Sequence, residues 1–315
     1  MEAGVRYAPR TAPPPAPAPA PAALVRPRAG VRTVVADYFE MTKPKVQTLL
    51  LLTTITTMYV AGDPSLGLVF LTCLGGALSA GGAGAINHSF DRDIDQVMTR
   101  TADRPVASGR VSPTAAVIYG IALCAASFVL LAMTVNLAAA LLALSGFLGY
   151  VFVYTIWLKR TTPQNIVIGG AAGAVPPLVG WAAVTGGLSV DALLLFAIVF
   201  FWTPPHFWAL SLLMKDEYAR AGVPMLPVVR GEAATRRSIL LYTLVLVAVT
   251  LAPVATGLFG VFYAAAAFVL GGAFVVMSAR LLHAVERRPA LRSYLFSLAY
   301  LALLFAAMVV DARVF

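Results

Sequence analysis

The sequence predicts an all-α, polytopic membrane protein with nine transmembrane helices. Hydrophobic residues make up 60% of the 315 residues and charged residues only 12%, whereas soluble domains carry roughly 25% charged residues. Nine apolar segments each approach the roughly 20 residues that a helix needs to cross a bilayer. Lys and Arg are confined to alternate connections between these segments, as expected when those connections are cytoplasmic.

The first 36 residues differ in composition from the rest of the chain. They contain the run TAPPPAPAPAPAALVRPRAG, and alternating Pro and Ala can neither build a helix nor bury a core. We therefore predict a disordered Pro/Ala-rich cytoplasmic arm at 1–36, without the apolar stretch of a signal peptide. A membrane-embedded domain follows at 37–315 and begins with an interfacial lead-in at 37–45.

The predicted spans alternate between short neutral connections and basic ones. They lie at about 46–62, 66–88, 113–134, 137–158, 164–185, 189–212, 237–256, 259–282 and 291–310. The N-terminal arm and four of the connections hold all of the 23 Lys and Arg residues except Arg313. The positive-inside rule places these regions in the cytoplasm and the C-terminus opposite, which an odd number of spans satisfies. Charge placed in this way argues against a nucleic-acid partner despite the net charge of +9.

Small residues and prolines mark the packing of two segments. Gly and Ala fill 74–85 (LGGALSAGGAGA) and much of 168–181 (IGGAAGAVPPLVGW), which predicts close helix contacts in lipid. The pairs Pro176-Pro177 and Pro204-Pro205 are predicted to break their helices at membrane depth. Such breaks are tolerated where backbone is buried in protein or lines a cavity, and the sequence leaves both possibilities open.

The stretch NHSFDRDIDQVMTRTADRPVASGR, residues 87–110, contains the strongest candidate site. Asn87, Asp91 and Asp95 are four residues apart, so a continuing helix presents all three on one face. Like charges at this spacing destabilise a helix, but oxygen ligands on one face suit Mg²⁺. We predict a Mg²⁺ site at these three residues; the alternative is a solvated helix end whose carboxylates pair with Arg92 and Arg100.

Further polar residues follow the other predicted spans on the same side. Lys159 and Arg160 precede Asn165, and the stretch 202–231 carries further titratable side chains: His206, Lys215, Asp216, Glu217, Tyr218 and Arg220. Any single basic residue here is explained by membrane orientation alone. Acids and cations at one membrane face together favour a phosphate-bearing substrate, and an apolar cavity beside them favours a prenyl diphosphate.

These motifs resemble a known family. N-x-x-x-D-R-D-I-D, followed by R-T-x-x-R-P, is similar to the first aspartate-rich motif of the UbiA-type membrane prenyltransferases. The stretches 154–181, F-x-W-T-P-P-H-F-W-A-L at 200–210 and Y-A-R-A-G-V-P-M-L-P-V-V at 218–229 resemble the branch that farnesylates heme. The resemblance covers roughly 41–310. The second Asp-x-x-x-Asp element of many family members is absent, because Arg220 stands four residues after Asp216.

The resemblance implies a nine-helix, UbiA-like bundle with cytoplasmic active-site loops. It implies transfer of a farnesyl group from farnesyl diphosphate to a vinyl group of heme B, with water addition, giving heme O. Mg²⁺ is the implied cofactor, and heme B is a substrate. The implied catalytic residues are Asn87, Asp91, Asp95, Lys159, Asp216 and Glu217. The implied substrate-binding residues are Arg100, Arg104, Arg160, Asn165, His206, Lys215, Tyr218 and Arg220.

Some alternatives remain open at this point. His206 is either a ligand to heme iron, a contact for a propionate, or a satisfied polar residue that fixes a helix break. Another acceptor, such as a quinone precursor, is the nearer alternative activity, and a secondary transporter is the more distant one because the acids cluster at one face rather than at the midplane. The expected location is a bacterial plasma membrane. The candidate protein partners are a downstream heme A synthase and an oxidase assembly factor.

Overall fold

The computed structural model describes residues 30–284 and 286–314, and every regular element in these ranges is helical. The elements are α1 (Val31–Met41), α2 (Pro44–Ala61), α3 (Leu66–Phe90), α4 (Arg92–Val97), α5 (Pro113–Thr134), α6 (Leu137–Leu148), a π-helical segment (Gly149–Leu158), α7 (Lys159–Thr161), α8 (Asn165–Gly173), α9 (Val175–Thr185), α10 (Val190–Leu213), α11 (Lys215–Arg220), α12 (Leu226–Val229), α13 (Gly231–Ala255), α14 (Val261–Leu281) and α15 (Arg287–Val314). The predicted all-α class is confirmed.

The N-terminal boundary differs from the predicted one. Residues 1–29 of the predicted arm lie outside the described residues, but α1 already begins at Val31, so 31–36 belong to a helix rather than to the arm. No proline interrupts the chain between Pro27 and Pro44. The helix is tied to the bundle because Asp37 accepts a hydrogen bond from Arg110 at 2.8 Å and Met41 is fully buried.

All nine predicted spans form helices within the described part of the chain. Eight are long and apolar enough to cross a membrane by length and composition. The ninth, α2, is long enough but less apolar, because it carries four buried threonines: Thr53, Thr54, Thr56 and Thr57. Three of their hydroxyls donate to carbonyls of the preceding turn, as threonine does in a helix that faces protein. Because α2 packs against α3, α9 and α15, its low hydropathy reflects burial inside the bundle.

The spanning helices close into a ring. Neighbours in sequence pack against each other from α2 and α3 onward, and α15 returns to pack against α2. The predicted glycine contacts are observed: a Cβ added to Gly82 would lie 2.5 Å from the Gly120 carbonyl oxygen, and one added to Gly180 would lie 2.5 Å from the Thr54 carbonyl oxygen. Close backbone approach therefore replaces the hydrophobic effect as the packing term between these helices.

The first predicted proline break is confirmed. The fifth span is interrupted at Ala174, between α8 and α9, and Pro176 and Pro177 occupy the first turn of α9. Proline is tolerated there because amides of a first turn have no partner within the helix.

The second predicted break is wrong, because α10 runs through Pro204 and Pro205 without interruption. Each proline removes one amide from the helical ladder. The packing of the flanking side chains keeps the helix continuous, since Trp202, His206 and Trp208 are all buried.

The two ends of the bundle are packed differently. The half remote from the basic connections is filled by the largest apolar cluster, which includes Leu195, Tyr263, Phe274, Tyr300 and Phe305. At the other end the buried polar residues Asn87, Asp91 and Asp95 occur beside a second cluster built around Trp208 and Tyr218. The buried Asn87–Asp91–Asp95 face therefore lies at the end that carries the basic connections, while a buried acid at the opposite end, Asp311, accepts hydrogen bonds from the amides of Gly260 and Tyr263.

Candidate active site

Asn87, Asp91 and Asp95 share a buried face at the junction of α3 and α4. The backbone leaves ideal helical geometry at Asp91 (φ −91°, ψ 8°), yet the amides of Asp91 and Asp95 still donate to the carbonyls four residues earlier at 2.9 and 2.8 Å. The three residues are 2%, 0% and 3% exposed. Asp93 points away and is exposed, as the helical spacing predicts.

The two carboxylate oxygens of Asp91 differ in their hydrogen bonding. Its Oδ2 accepts a hydrogen bond from Asn87 Nδ2 at 2.6 Å and contacts the ammonium of Lys159. Its Oδ1 is buried and has no hydrogen-bond donor among the described residues. A buried carboxylate oxygen without a donor is costly, and a cation bound there would remove that cost.

Asp95 is paired with Arg104, whose Nη1 lies 2.8 Å from both carboxylate oxygens. The alternative that the acids pair with Arg92 and Arg100 is therefore wrong for the buried pair, whose partners are Arg104 and Lys159. Arg100 is exposed, but its charge reaches Tyr218: burial raises the pKa of Tyr218, and the charges of Arg100 and Arg104 oppose that rise.

Lys43 is a site residue that the sequence analysis counted only as a topological charge. Its Nζ lies 2.5 Å from Asn87 Oδ1 and 3.4 Å from the hydroxyl of Tyr150. Burial of the ammonium group, and next the nearby charge of Arg104, lower the pKa of Lys43 from 10.5 to about 7. The only sequence signal was a Lys-Pro pair at the start of the first span.

The π-helical segment brings polar side chains from an apolar stretch into this cluster. Hydrogen bonding between residues five apart aligns such residues on one face, and Tyr150 and Thr155 have this spacing. Thr155 Oγ1 accepts from Asn87 Nδ2 at 3.1 Å, and Tyr150 contacts Lys43. In an ordinary α-helix with 3.6 residues per turn, these two residues would not lie on the same face.

Arg160 binds on the exposed side of the cluster. It donates to both oxygens of Asp93, at 2.8 and 2.7 Å, and to the Phe90 carbonyl at 2.5 Å. The hydrogen bond from Arg160 lowers the pKa of Asp93 to about 2. Arg160 stays 4.0 Å from Asp91 Oδ1, so its main contact holds the end of α3.

The segment α11 divides its residues between two sides. Lys215 binds Glu232 at 3.2 Å, and Asp216 pairs with Arg287 at 3.3 Å on the exposed surface. Arg220 is also exposed. The structure does not bring these three residues to the Asn87–Asp91–Asp95 cluster, contrary to the expectation that all polar residues of this stretch converge.

Two further residues of α11, Glu217 and Tyr218, face inward. Tyr218 is buried, and Glu217 keeps one buried carboxylate oxygen, Oε2, without a hydrogen-bond partner in the described part of the chain. Asn165, the first residue of α8, is fully buried, and neither polar atom of its side chain is hydrogen-bonded within that part. These atoms resemble Asp91 Oδ1 in being buried polar groups for which residues 30–284 and 286–314 supply no partner.

His206 lies deeper, between α10 and α15, with its ring stacked between Trp202 at 4.2 Å and Tyr294 at 4.8 Å. The hydroxyl of Ser297 donates its one hydrogen to the Tyr294 carbonyl at 2.6 Å, so it accepts from His206 Nδ1 at 2.7 Å. This arrangement leaves the lone pair on Nε2, the tautomer that binds a metal through that nitrogen.

The residues present fit a hard divalent cation. Among the described residues no group of three or more His, Cys, Asp or Glu side chains forms a ready ligand set. Mg²⁺ needs fewer, because it keeps several waters and is held by one or two carboxylates together with substrate phosphates. Asp91 Oδ1 supplies an oxygen without a partner, and Asn87 and Asp95 flank it.

The cluster has more basic than acidic side chains. Three basic side chains, Lys43, Arg104 and Lys159, face two carboxylates, Asp91 and Asp95, and an incoming anion favours the charged form of Lys43. Such an excess suits a polyanion that enters with its own metal ion, because Lys and Arg bind phosphate oxygens directly.

The family model described as the UbiA prenyltransferase family matches residues 50–305. The chain is 56% identical over 288 residues to a protoheme IX farnesyltransferase of Roseiflexus sp., covering 91% of this chain and 54% of that protein. It thus spans about half the length of the first curated relatives that it matches. It is also 54% identical to a protoheme IX farnesyltransferase of Nostoc sp., with 89% of each protein covered.

Solved structures agree with this assignment. A digeranylgeranylglyceryl phosphate synthase has a TM-score of 0.73 at 19% identity, covering 89% of this chain and 99% of that one. A UbiA homolog from Archaeoglobus fulgidus bound to GPP and Mg²⁺ has a TM-score of 0.64 at 18% identity, covering 86% of this chain and 99% of that one. Together with the family match over most of the chain, the closed ring of helices and the buried Asn-Asp-Asp face, this shows that the chain belongs to the UbiA prenyltransferase family.

Proposed function

We propose that this chain transfers a farnesyl group from farnesyl diphosphate to a vinyl group of heme B, which with the addition of water gives heme O. The observation that carries the proposal is the identity of more than half of the aligned residues to curated protoheme IX farnesyltransferases, in the Nostoc case over 89% of both chains. The positive excess of the buried cluster supports a diphosphate substrate.

Asn87, Asp91 and Asp95 would hold Mg²⁺, with Asp91 Oδ1 as the oxygen that has no hydrogen-bond partner in the ranges that the structure describes. When bound, Mg²⁺ stabilises the negative charge that develops on the departing diphosphate. Lys159 and Arg104 lie beside these acids and would bind the diphosphate oxygens, so the charge of the leaving group meets cations that are already in place.

The reacting bond joins the allylic carbon of the farnesyl group to the diphosphate oxygen. As this bond breaks, the π electrons of a heme vinyl group form the new carbon–carbon bond, and water captures the resulting cation with loss of a proton. Glu217 keeps a buried carboxylate oxygen to which no described residue donates, and such an oxygen suits the acceptor of that proton. Tyr218 and Asn165 are buried near the same end and would line the substrate cavity.

His206 is the candidate contact for heme. Its Nε2 lone pair supports coordination of the iron, and stacking between Trp202 and Tyr294 fixes the orientation of the ring. Lys215, Asp216 and Arg220 remain outside this proposal, because their contacts lie at the surface. Arg160 would act on the site indirectly, by holding the end of α3 through the Phe90 carbonyl.

The location proposed is a bacterial plasma membrane with the cluster at the cytoplasmic side. Every basic connection lies at the same end of the bundle as Asp91, so the positive-inside rule orients the site toward the cytoplasm. Farnesyl diphosphate would then enter from the cytoplasm, while its tail lies among the apolar helices.

A product assay tests the activity. Membranes containing the full chain would be incubated with heme B, farnesyl diphosphate and Mg²⁺. The extracted pigments would then be separated by chromatography and identified by mass spectrometry. We expect heme O, and none when farnesyl diphosphate is omitted. Prenylation of a quinone precursor such as 4-hydroxybenzoate, without any heme O, would replace heme as the acceptor.

A further inference from the structure

Lys43 is held in an unusual backbone conformation between α1 and α2. Its φ of 55° and ψ of 54° are left-handed, and it is the one non-glycine residue with positive φ in the described ranges. This conformation costs about 1–2 kcal/mol for a residue with a Cβ. A strained residue whose ammonium group reaches a functional cluster points to a role in that cluster.

Two glycines of α3 contact the connection between α1 and α2. A Cβ on Gly84 would lie 2.9 Å from the Met41 carbonyl oxygen and 3.5 Å from Cδ of Lys43, and one on Gly81 would lie 3.0 Å from Cβ of Thr42. The chain can therefore lie directly against α3 only because these side chains are missing. This contact aims the lysine stem along α3 toward Asn87.

The cations of the chain occupy the oxygens that the proposed metal site needs. Lys43 contacts Asn87 Oδ1, Lys159 contacts Asp91 Oδ2, and Arg104 contacts both oxygens of Asp95. Asp91 Oδ1 is the remaining oxygen. A metal ion arriving alone must displace an ammonium or guanidinium group that would be left buried without its partner.

A diphosphate removes this obstacle, because its oxygens are better partners for ammonium and guanidinium groups than an amide oxygen is. We propose that the ammonium group of Lys43 competes with Mg²⁺ for Asn87 Oδ1 until a prenyl diphosphate binds the ammonium group instead. Mg²⁺ and the diphosphate then each need the other to bind tightly. This inference rests on the proposed metal role of Asn87, Asp91 and Asp95 but not on heme as the acceptor. Coupling of this kind is reciprocal: each ligand raises the affinity of the other by the same factor.

Calorimetric titration of the full chain in detergent tests the proposal. Mg²⁺ would be titrated into wild type, Lys43→Met and Lys45→Met, with and without farnesyl diphosphate and in the absence of heme. Lys45 is the matched control, because it is two residues away, carries the same charge and is exposed. Lys43→Met keeps an unbranched apolar side chain of nearly the same length and removes the ammonium group.

We expect Lys43→Met to bind Mg²⁺ alone about tenfold more tightly than wild type, the change expected when a hydrogen bond from a charged group no longer competes. The same variant should bind farnesyl diphosphate more weakly, and the factor by which diphosphate raises Mg²⁺ affinity should shrink. Lys45→Met should match wild type in all three quantities. Lys43→Asn, in which asparagine tolerates left-handed backbone, is expected to repeat the result if Lys43→Met folds poorly.

Equal Mg²⁺ affinity of wild type and both Lys43 variants in the absence of diphosphate would overturn the proposal. So would unchanged coupling between the two ligands. Normal coupling without any heme O in the product assay would instead refute the proposed acceptor and leave the role of Lys43 in place.

Discussion

Asp91 is the most enclosed acid of the cluster, and its surroundings show why position matters more than charge. Its Oδ2 is shared by Lys159 and Asn87, while its Oδ1 has no donor among the described residues. Asp93, two residues later, is exposed and bound by Arg160. The same side chain therefore serves as a candidate metal ligand at one position and as a surface ion pair at the other.

We expect Asp91→Asn to lower turnover at saturating Mg²⁺ by at least about 100-fold, the size of effect seen when one group that stabilises transition-state charge is removed. The substitution also leaves Lys159 partly buried without its counter-ion, so thermal unfolding should be recorded beside heme O formation. Full turnover in Asp91→Asn would disprove the metal assignment.

Asp93→Asn is the matched control for that experiment. Exposed ion pairs contribute only about 0–1 kcal/mol, so this variant should keep most of the activity and nearly the wild-type unfolding temperature.

Two elements position the cluster: the π-helical segment, which departs from α-helical geometry, and α3, which packs closely against α5 through glycines. The π-helical segment Gly149–Leu158 aligns Tyr150 and Thr155 toward Lys43 and Asn87. Ahead of the cluster, α3 approaches α5 so closely that backbone atoms of Gly82 and Gly120 are adjacent. The end of α3 therefore depends on a contact that admits no side chain.

Gly82→Ala should destabilise the protein by about 1–3 kcal/mol, the usual cost of overpacking, because its Cβ would lie 2.5 Å from the Gly120 carbonyl oxygen. Gly76→Ala, on the same helix, meets nothing within 4 Å, and its higher helix propensity favours the folded state by up to about 1 kcal/mol. Thermal unfolding in one detergent compares the two variants. Equal destabilisation by both would show that the close contact with α5 is not what limits residue size.

At the scale of the whole molecule, the ring of helices separates the end with the basic connections from an end that holds Asp311 and Arg313. Its closure is visible where α15 reaches α2: Arg313 donates to the Tyr59 carbonyl at 2.9 Å and pairs with Asp63 at 3.3 Å. Arg313 is also the one basic residue that the sequence places opposite the others. Its contacts put the C-terminal end of α15 beside the connection between α2 and α3.

Accessibility labelling tests the proposed orientation. In a background with Cys73 and Cys124 replaced by Ala, a membrane-impermeant maleimide should label Asp63→Cys in intact cells, because Asp63 is 91% exposed in its side chain at the outer end. Asp103→Cys, exposed at the basic end, should react only after permeabilisation. Labelling of both positions in intact cells, or the reverse pattern, would contradict the orientation.

The sequence by itself determined the fold class, the nine helices, the side on which positive charge collects, and the shared face of Asn87, Asp91 and Asp95. These features follow from local periodicity and composition, which operate within one helix. Only the tertiary structure decided which cations meet those acids, because ion pairs such as Lys159 with Asp91 join residues 68 positions apart. It also turned Lys215 and Asp216 outward and kept α10 continuous through two prolines, since packing against neighbouring helices outweighs local preference at both places.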